Sequence, residues 1–243
     1  MRYLITTLIC LVTLPAAVAD YSLPPKHEAE YVIDKGPLTV ARATTRFYPA
    51  GEDRYLYSLY LRTTGMARFF AGTRIRERSH GRLTETGYRP NKYTYHRTGD
   101  DKARRAELAF DWEQGHVRNK VDEPAWDLDI PDGTLDRVVS PLQLMRDLTV
   151  GGEEQRRMTY RIADGGELKT YAVTIGERET ITTGEGRFEA VRVVRRSEDG
   201  DRETILWCAP KLAYLPVQVT RREADEDTIT LELESVSGLE GEG

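Results

Sequence analysis

The chain is poor in cysteine, histidine and long apolar runs, and each scarcity excludes something. Of 243 residues only 2 are Cys, 4 are His and 4 are Met. Cys10 lies in an N-terminal stretch that reads as an export signal, which leaves Cys208 alone in the mature chain. A single thiol rules out an intramolecular disulfide even where the compartment would permit one. Between Trp207 and Ala209, Cys208 is expected to be a buried, inert thiol, because free Cys is among the most buried residue types. The histidines His27, His80, His96 and His116 are scattered, with no i, i+4 pair and no H-E-x-x-H. A zinc site needs convergent His, Cys or carboxylate ligands, so no metal is expected. There is no G-x-S-x-G elbow, phosphate-cradling loop or dinucleotide glycine run. No catalytic residue and no cofactor is therefore expected. Gly151-Gly152 and Gly184-Glu185-Gly186 read as turns, since neither opens a helix after a buried strand.

The longest apolar run, Leu4 to Leu14, is too short for a permanent bilayer-spanning helix, which needs roughly 20 residues. Arg2 precedes it, and Pro15 and Ala17-Val18-Ala19 follow. This is the order that a signal peptidase reads. Residues 1–19 are thus expected to be cleaved, leaving a periplasmic or secreted protein that begins at Asp20. A lipidated Cys10 is rejected, because the bulky Ile9 stands where a small residue is required. The mature chain is expected to be soluble, with a lead-in over 20–28, a β-rich domain over 29–236 and a disordered tail over 237–243.

Charge is net negative but unevenly spread. From Arg54 to Arg105 there are 13 Lys and Arg against 4 Asp and Glu; from Glu177 to the end there are 9 against 16. Basic and acidic strands pairing across one sheet is the plainer reading and the preferred one. The other is a basic surface for anionic lipid heads or an acidic partner. A net acidic, exported chain excludes nucleic acid as a partner.

The body reads as short β segments separated by Gly, Asp and Asn. Arg54 to Thr64 is the clearest, with Tyr55, Tyr57, Leu59 and Leu61 on one face and Leu56, Ser58, Tyr60 and Arg62 on the other, the period of a strand. Further strands are expected at 38–47, 73–80, 87–97, 104–112, 117–121, 156–163, 169–179, 187–195, 204–208, 215–222 and 228–236. Asp164-Gly165-Gly166 and Asp199-Gly200-Asp201 mark hairpin tips. Arg74, Arg76 and Arg78 alternate, so three guanidinium groups share one strand face, suited to phosphate or carboxylate oxygens. Tyr93 and Tyr95 read as core or barrel wall.

Two segments depart from the β pattern. Over 136–149, Ser140 stands at a plausible N-cap and Pro141 at the first helical position. Leu142, Met145 and Leu148 then recur at helical spacing. Gly65 to Gly72 encloses the apolar residues Met66, Phe69 and Phe70, too few for a free-standing helix. The economical fold is mainly β: a strongly curved antiparallel sheet or open β-barrel around one amphipathic helix. Two tandem β-sandwiches are the alternative.

The run Trp207-Cys208-Ala209-Pro210 through Leu215-Pro216-Val217 is distinctive, as are Gly65-Met66-Ala67, Arg74 to Ser79, Phe110-Asp111-Trp112 and Asp164-Gly165-Gly166. In this order they resemble the exported bacterial family known as domain of unknown function 3108, from about Ala29 to Val236. The resemblance implies a β-rich exported domain and assigns no residue a catalytic role. Its layout is also similar to periplasmic lipoprotein and lipid carriers with half-open barrels, a likeness of fold alone.

The expected function is non-enzymatic: a periplasmic binding protein whose curved sheet holds an apolar or amphipathic ligand, such as the acyl chain of a lipid or lipoprotein. Met66, Phe69, Phe70, Leu142, Met145 and Leu148 are the candidate lining residues, since such sites are apolar with few polar groups. Arg74, Arg76 and Arg78 are the candidates for an anionic headgroup. The rival is a structural module of the cell envelope with a filled core and a protein partner. An enzyme would instead need polar groups converging in a cleft.

Overall fold

The computed structural model describes residues 21–65, 72–99, 103–120, 125–198, 200, 202–223 and 227–239. The expected leader and Met66, Phe69 and Phe70 lie outside the described residues. Fifteen strands are found among those described: β1 (His27–Lys35), β2 (Leu38–Ala50), β3 (Arg54–Thr63), β4 (Arg74–Thr84), β5 (Gly87–Thr98), β6 (Arg104–Asp111), β7 (His116–Asn119), β8 (Asp127–Asp129), β9 (Thr134–Asp136), β10 (Arg157–Asp164), β11 (Glu167–Thr183), β12 (Gly186–Ser197), β13 (Arg202–Ala209), β14 (Leu215–Glu223) and β15 (Ile229–Ser237). One helix, α1 (Ser140–Gly151), falls between β9 and β10.

All strands belong to one sheet in the order β8-β7-β6-β5-β4-β3-β2-β1-β15-β14-β13-β12-β11-β10-β9. The chain starts at the centre, meanders out to β8, crosses to the opposite edge at β9 and meanders back. β15 then pairs antiparallel with β1, joining the halves by a continuous ladder. Only β9 with β10 is parallel. The two edge strands do not pair, so the sheet curves without closing, and tandem sandwiches are excluded. β9 nevertheless approaches β5, and α1 packs against both β5 and β14. The helix thus lies inside the curve, as the apolar spacing requires.

Leu142, Met145 and Leu148 are fully buried in the core with Phe47, Tyr55, Leu233, Val217 and Cys208. Burial pushes the Cys208 thiol up from its ordinary pKa. The expected role of Ser140 as N-cap is corrected. Its hydroxyl donates to the carbonyl of Arg137, and the backbone N–H groups of Val138 and Val139 are instead taken by Asp136 Oδ1 at 3.0 and 2.9 Å. An Asp side chain that satisfies donors two and three residues on pre-forms the entry to the helix. Pro141 does occupy the first turn, and Gly152 ends the helix at φ 65°.

Both ends of the domain reach further than the sequence signals. β1 begins at His27, which is buried and stacked on Phe47 with ring centroids 5.2 Å apart. At the other end Leu239 is buried in the same core.

Candidate ligand-binding site

The two ends of the sheet's inner face differ. Near α1 that face is closed by Tyr55, Tyr57, Phe47, Val217 and Leu233, all buried. Toward the other end, where β1 ends at Lys35, β12 at Ser197 and β15 begins at Ile229, the inward residues stay partly exposed: Leu59 and Leu61 on β3, Ile75 on β4, Val219 on β14, and Ile229 and Leu231 on β15. Strand alternation fixes their direction, because Leu59 and Leu61 follow Tyr57 at period two and Leu231 precedes Leu233. Partly open apolar residues on a concave sheet face make a floor that an apolar chain would cover.

Arg195 belongs to the same inner face, where it lines a small gap with Val173, Val193, Leu206 and with Pro141 and Leu144 of α1. On β12 it follows the buried Val191 and Val193 at period two, with Val173 of β11 and Thr204 of β13 as rung neighbours. Its guanidinium lies 4.9 Å from the Tyr171 ring and makes one long hydrogen bond, 3.5 Å, to Thr204 Oγ1. Its Nε is buried without a partner, and no carboxylate among the described residues forms an ion pair with it. Burial pulls its pKa below the ordinary arginine value; Tyr171 counters this, while the charges of Arg221 and Arg137 add to it. A buried charge without a counter-ion is costly. The site therefore carries a cation that the protein itself leaves uncompensated.

A polar network beside it joins the two halves of the sheet. Glu77 of β4, 4 % exposed, accepts a hydrogen bond from Tyr93 at 2.7 Å and is paired with Arg137. Arg137, in the β9–α1 connection, also lies 5.3 Å from the Tyr95 ring and 4.0 Å from Asp164 of β10. Lys169 donates to Asp164 at 3.0 Å. Burial would raise the Asp164 pKa, but Arg137, Lys169 and Arg104 hold it below the usual carboxylate range. Deeper still, Ser79 donates to Asp136 at 2.5 Å, and the Tyr55 hydroxyl is 3.1 Å from Ser79. Ser79 and Asp136 are both 0 % exposed, so this pair meets no solvent or substrate and serves to fasten the connection to β4.

A second hollow of about 760 Å³ opens at the opposite end, between the β4–β5 turn, α1 and β10. Its charged groups answer one another. Asp147 accepts from Gln143 at 2.8 Å, Tyr160 at 2.9 Å and Arg146 at 3.2 Å, while Arg146 also reaches the Glu85 carbonyl. Burial raises the Asp147 pKa, with these donors opposing it. Gln143 caps the turn by accepting from the Tyr88 N–H.

The structure redistributes the residues singled out from sequence. Leu142, Met145 and Leu148 are packed core with no free surface to offer. Arg74, Arg76 and Arg78 do share one face of β4, but it is the outer one, because Glu77 and Ser79 take the inner positions. They cannot meet the headgroup of a ligand held inside. The inner face carries Arg195 instead, which no short motif marks; its signal is a lone Arg continuing the apolar parity of Val191 and Val193. The expected pairing of basic with acidic strands also fails at this face. Arg62, Arg74, Arg76 and Arg78 have Arg42, Tyr60, Ser58, His96, Thr94 and Thr98 or one another as lateral neighbours, and no acid. Among the described residues no three His, Cys, Asp or Glu converge as a metal would require.

The model of the family described as protein of unknown function (DUF3108) matches residues 30–234. The chain belongs to that family. No curated protein matches it. Among solved structures, the chain is similar to a β-barrel-like protein of domain of unknown function DUF1849 from Brucella abortus, at 13% identity and a TM-score of 0.58, covering 88% of this chain and 97% of that one. A protein with a YmcC-like fold from Bacteroides fragilis matches at 10% identity, covering 89% and 99%, with a TM-score of 0.33. The Brucella protein shares the fold, and at that identity the likeness extends no further. Among the described residues no helix is long and apolar enough to cross a membrane.

Proposed function

We propose that this member of the DUF3108 family is a non-enzymatic binding protein of the periplasm that holds an amphipathic ligand in its curved sheet. The observation that carries the reading is Arg195, a largely buried guanidinium without a described counter-ion, on the same inner sheet face as a row of partly exposed apolar residues. An anionic group on an acyl chain would satisfy both at once, the head at Arg195 and the tail along Leu59, Leu61, Val219 and Leu231. The export signal read over residues 1–19 supports the location.

The test is direct. Protein recovered from the periplasm is analysed by native mass spectrometry and then titrated with a dansyl-labelled fatty acid. A retained lipid mass, or saturable probe binding that unlabelled fatty acid displaces, is the expected result. Ligand-free protein that also fails to bind the probe would overturn the reading and favour a structural module of the envelope.

A further inference from the structure

The outer face of β3 and β4 is a separate feature, built from a different set of side chains. Arg62 on β3 and Arg74, Arg76 and Arg78 on β4 project from adjacent strands, with Arg62 directly opposite Arg74 and Tyr60 opposite Arg76. All four arginines are exposed. None forms an ion pair with any described residue, although most other arginines of the sheet do. Arg46 is held by Glu28, Arg82 by Asp53, Arg118 by Asp127 and Arg196 by Glu203. On the neighbouring strand the facing residues are Thr98, His96 and Thr94. Arginines crowded side by side on a sheet repel one another, so this arrangement is costly unless an anionic surface answers it.

We infer that this face docks on an anionic lipid surface. The patch is laid on the flat of a sheet, on the outer positions of two paired strands. Protein partners are usually anchored by aromatic or apolar side chains seated in pockets at the centre of the interface. Here the one aromatic ring among the arginines, Tyr60, lies beneath Arg76 at 5.4 Å. A laterally uniform negative surface needs no pocket, only several cations at one level. Leu56 shares the outer parity of Ser58 and Tyr60 and is 37 % exposed, one of two large apolar residues left so open among those described. It supplies an apolar contact alongside the charges.

The experiment is co-sedimentation with vesicles of phosphatidylcholine, with and without phosphatidylglycerol. It compares the wild type with Arg74→Gln/Arg78→Gln and Arg74→Lys/Arg78→Lys. Binding to the anionic vesicles only, falling steeply with salt, is expected. Each charge near such a surface contributes about fivefold in affinity, so the glutamine pair should bind about 25-fold more weakly, and the lysine pair should retain most of the binding. Equal binding to both vesicle types, no binding to either, or an unaffected glutamine pair would each overturn the inference. Thermal melting of the variants should be no lower than that of the wild type, since the replaced side chains are exposed and the glutamine pair relieves like-charge repulsion. Arg195→Met serves as the separating control. It should leave vesicle binding unchanged whatever it does to fatty-acid binding, so the two proposals stand or fall apart.

Discussion

Ser79 donates a hydrogen bond of 2.5 Å to Asp136 across 57 residues of sequence, tying β4 to the segment that launches α1. Asp136 has no exposed surface, and burial raises its pKa to about 7 against the hydrogen bonds that favour the anion. The sign of its effect on stability follows. In the unfolded chain the carboxyl loses its proton near pH 4, whereas in the native state it keeps it up to about pH 7. Between those values the native state binds more protons, so this group's contribution to stability falls as pH rises and is constant above about 7. Asp136→Asn can still accept from Val138 and Val139 and carries no charge. Its stability relative to the wild type should improve from pH 4 to pH 8 by on the order of 3 kcal/mol. Urea midpoints at both pH values measure this, and parallel pH profiles for the two proteins would refute it.

Glu77 is the other inward acid of β4, and its partner comes from the same connection. Removing Arg137 leaves a buried carboxylate with Tyr93 as its remaining donor. Breaking a buried pair from one side costs about 3–5 kcal/mol. Arg137 is itself 44% exposed in its side chain, so water offsets part of this and Arg137→Ala should cost about 2–3 kcal/mol. A cycle with Glu77→Gln and the double variant should give a coupling energy above 1 kcal/mol. Additive effects would show that the two groups act independently.

The β framework was legible in the sequence because it is written locally. Period-two residues such as Tyr55, Tyr57, Leu59 and Leu61 mark a strand and its buried face without reference to anything distant. The helix was legible for the same reason, through Pro141 and the spacing of Leu142, Met145 and Leu148. The two-strand edges were not: β8 and β9 have three residues each, too short to show a period. Nor was the candidate site. Whether Arg74 points inward depends on Glu77 and Ser79 finding Arg137 and Asp136 some 60 residues away, and no local pattern records that. Apolar helix residues were read as lining, although a helix enclosed by a sheet spends its apolar face on the core.

Gly81 faces Pro90 where the β4–β5 register shifts, with Asn91 the extra residue on β5. A methyl group there would stand 2.2 Å from the Arg89 carbonyl oxygen and 2.7 Å from the Pro90 Cα. Both are backbone atoms of the paired strand, so no side-chain rotation relieves the clash. Gly81→Ala should destabilise by about 2–3 kcal/mol, the upper range for overpacking a filled site. For a domain of this size that lowers the melting temperature by about 5–10 °C. A melt within 1–2 °C of the wild type would mean that the two strands separate there at little cost.

Arg195 gives the prediction that joins stability to function. Its guanidinium is desolvated, carries one long hydrogen bond and lacks a counter-ion, so in the ligand-free protein it is a net burden on folding. Methionine keeps the unbranched stem, fills similar volume and needs no partner. Arg195→Met should therefore raise the unfolding free energy by about 1 kcal/mol. The same change removes an inward cation that no described carboxylate pairs. Displacement of a dansyl-labelled fatty acid should weaken about tenfold or more, the loss of one charge-assisted hydrogen bond. A purely structural arginine would give the reverse pattern, with stability lost and any probe binding unchanged. Stability gained together with affinity lost distinguishes a residue retained for its ligand from one retained for the fold.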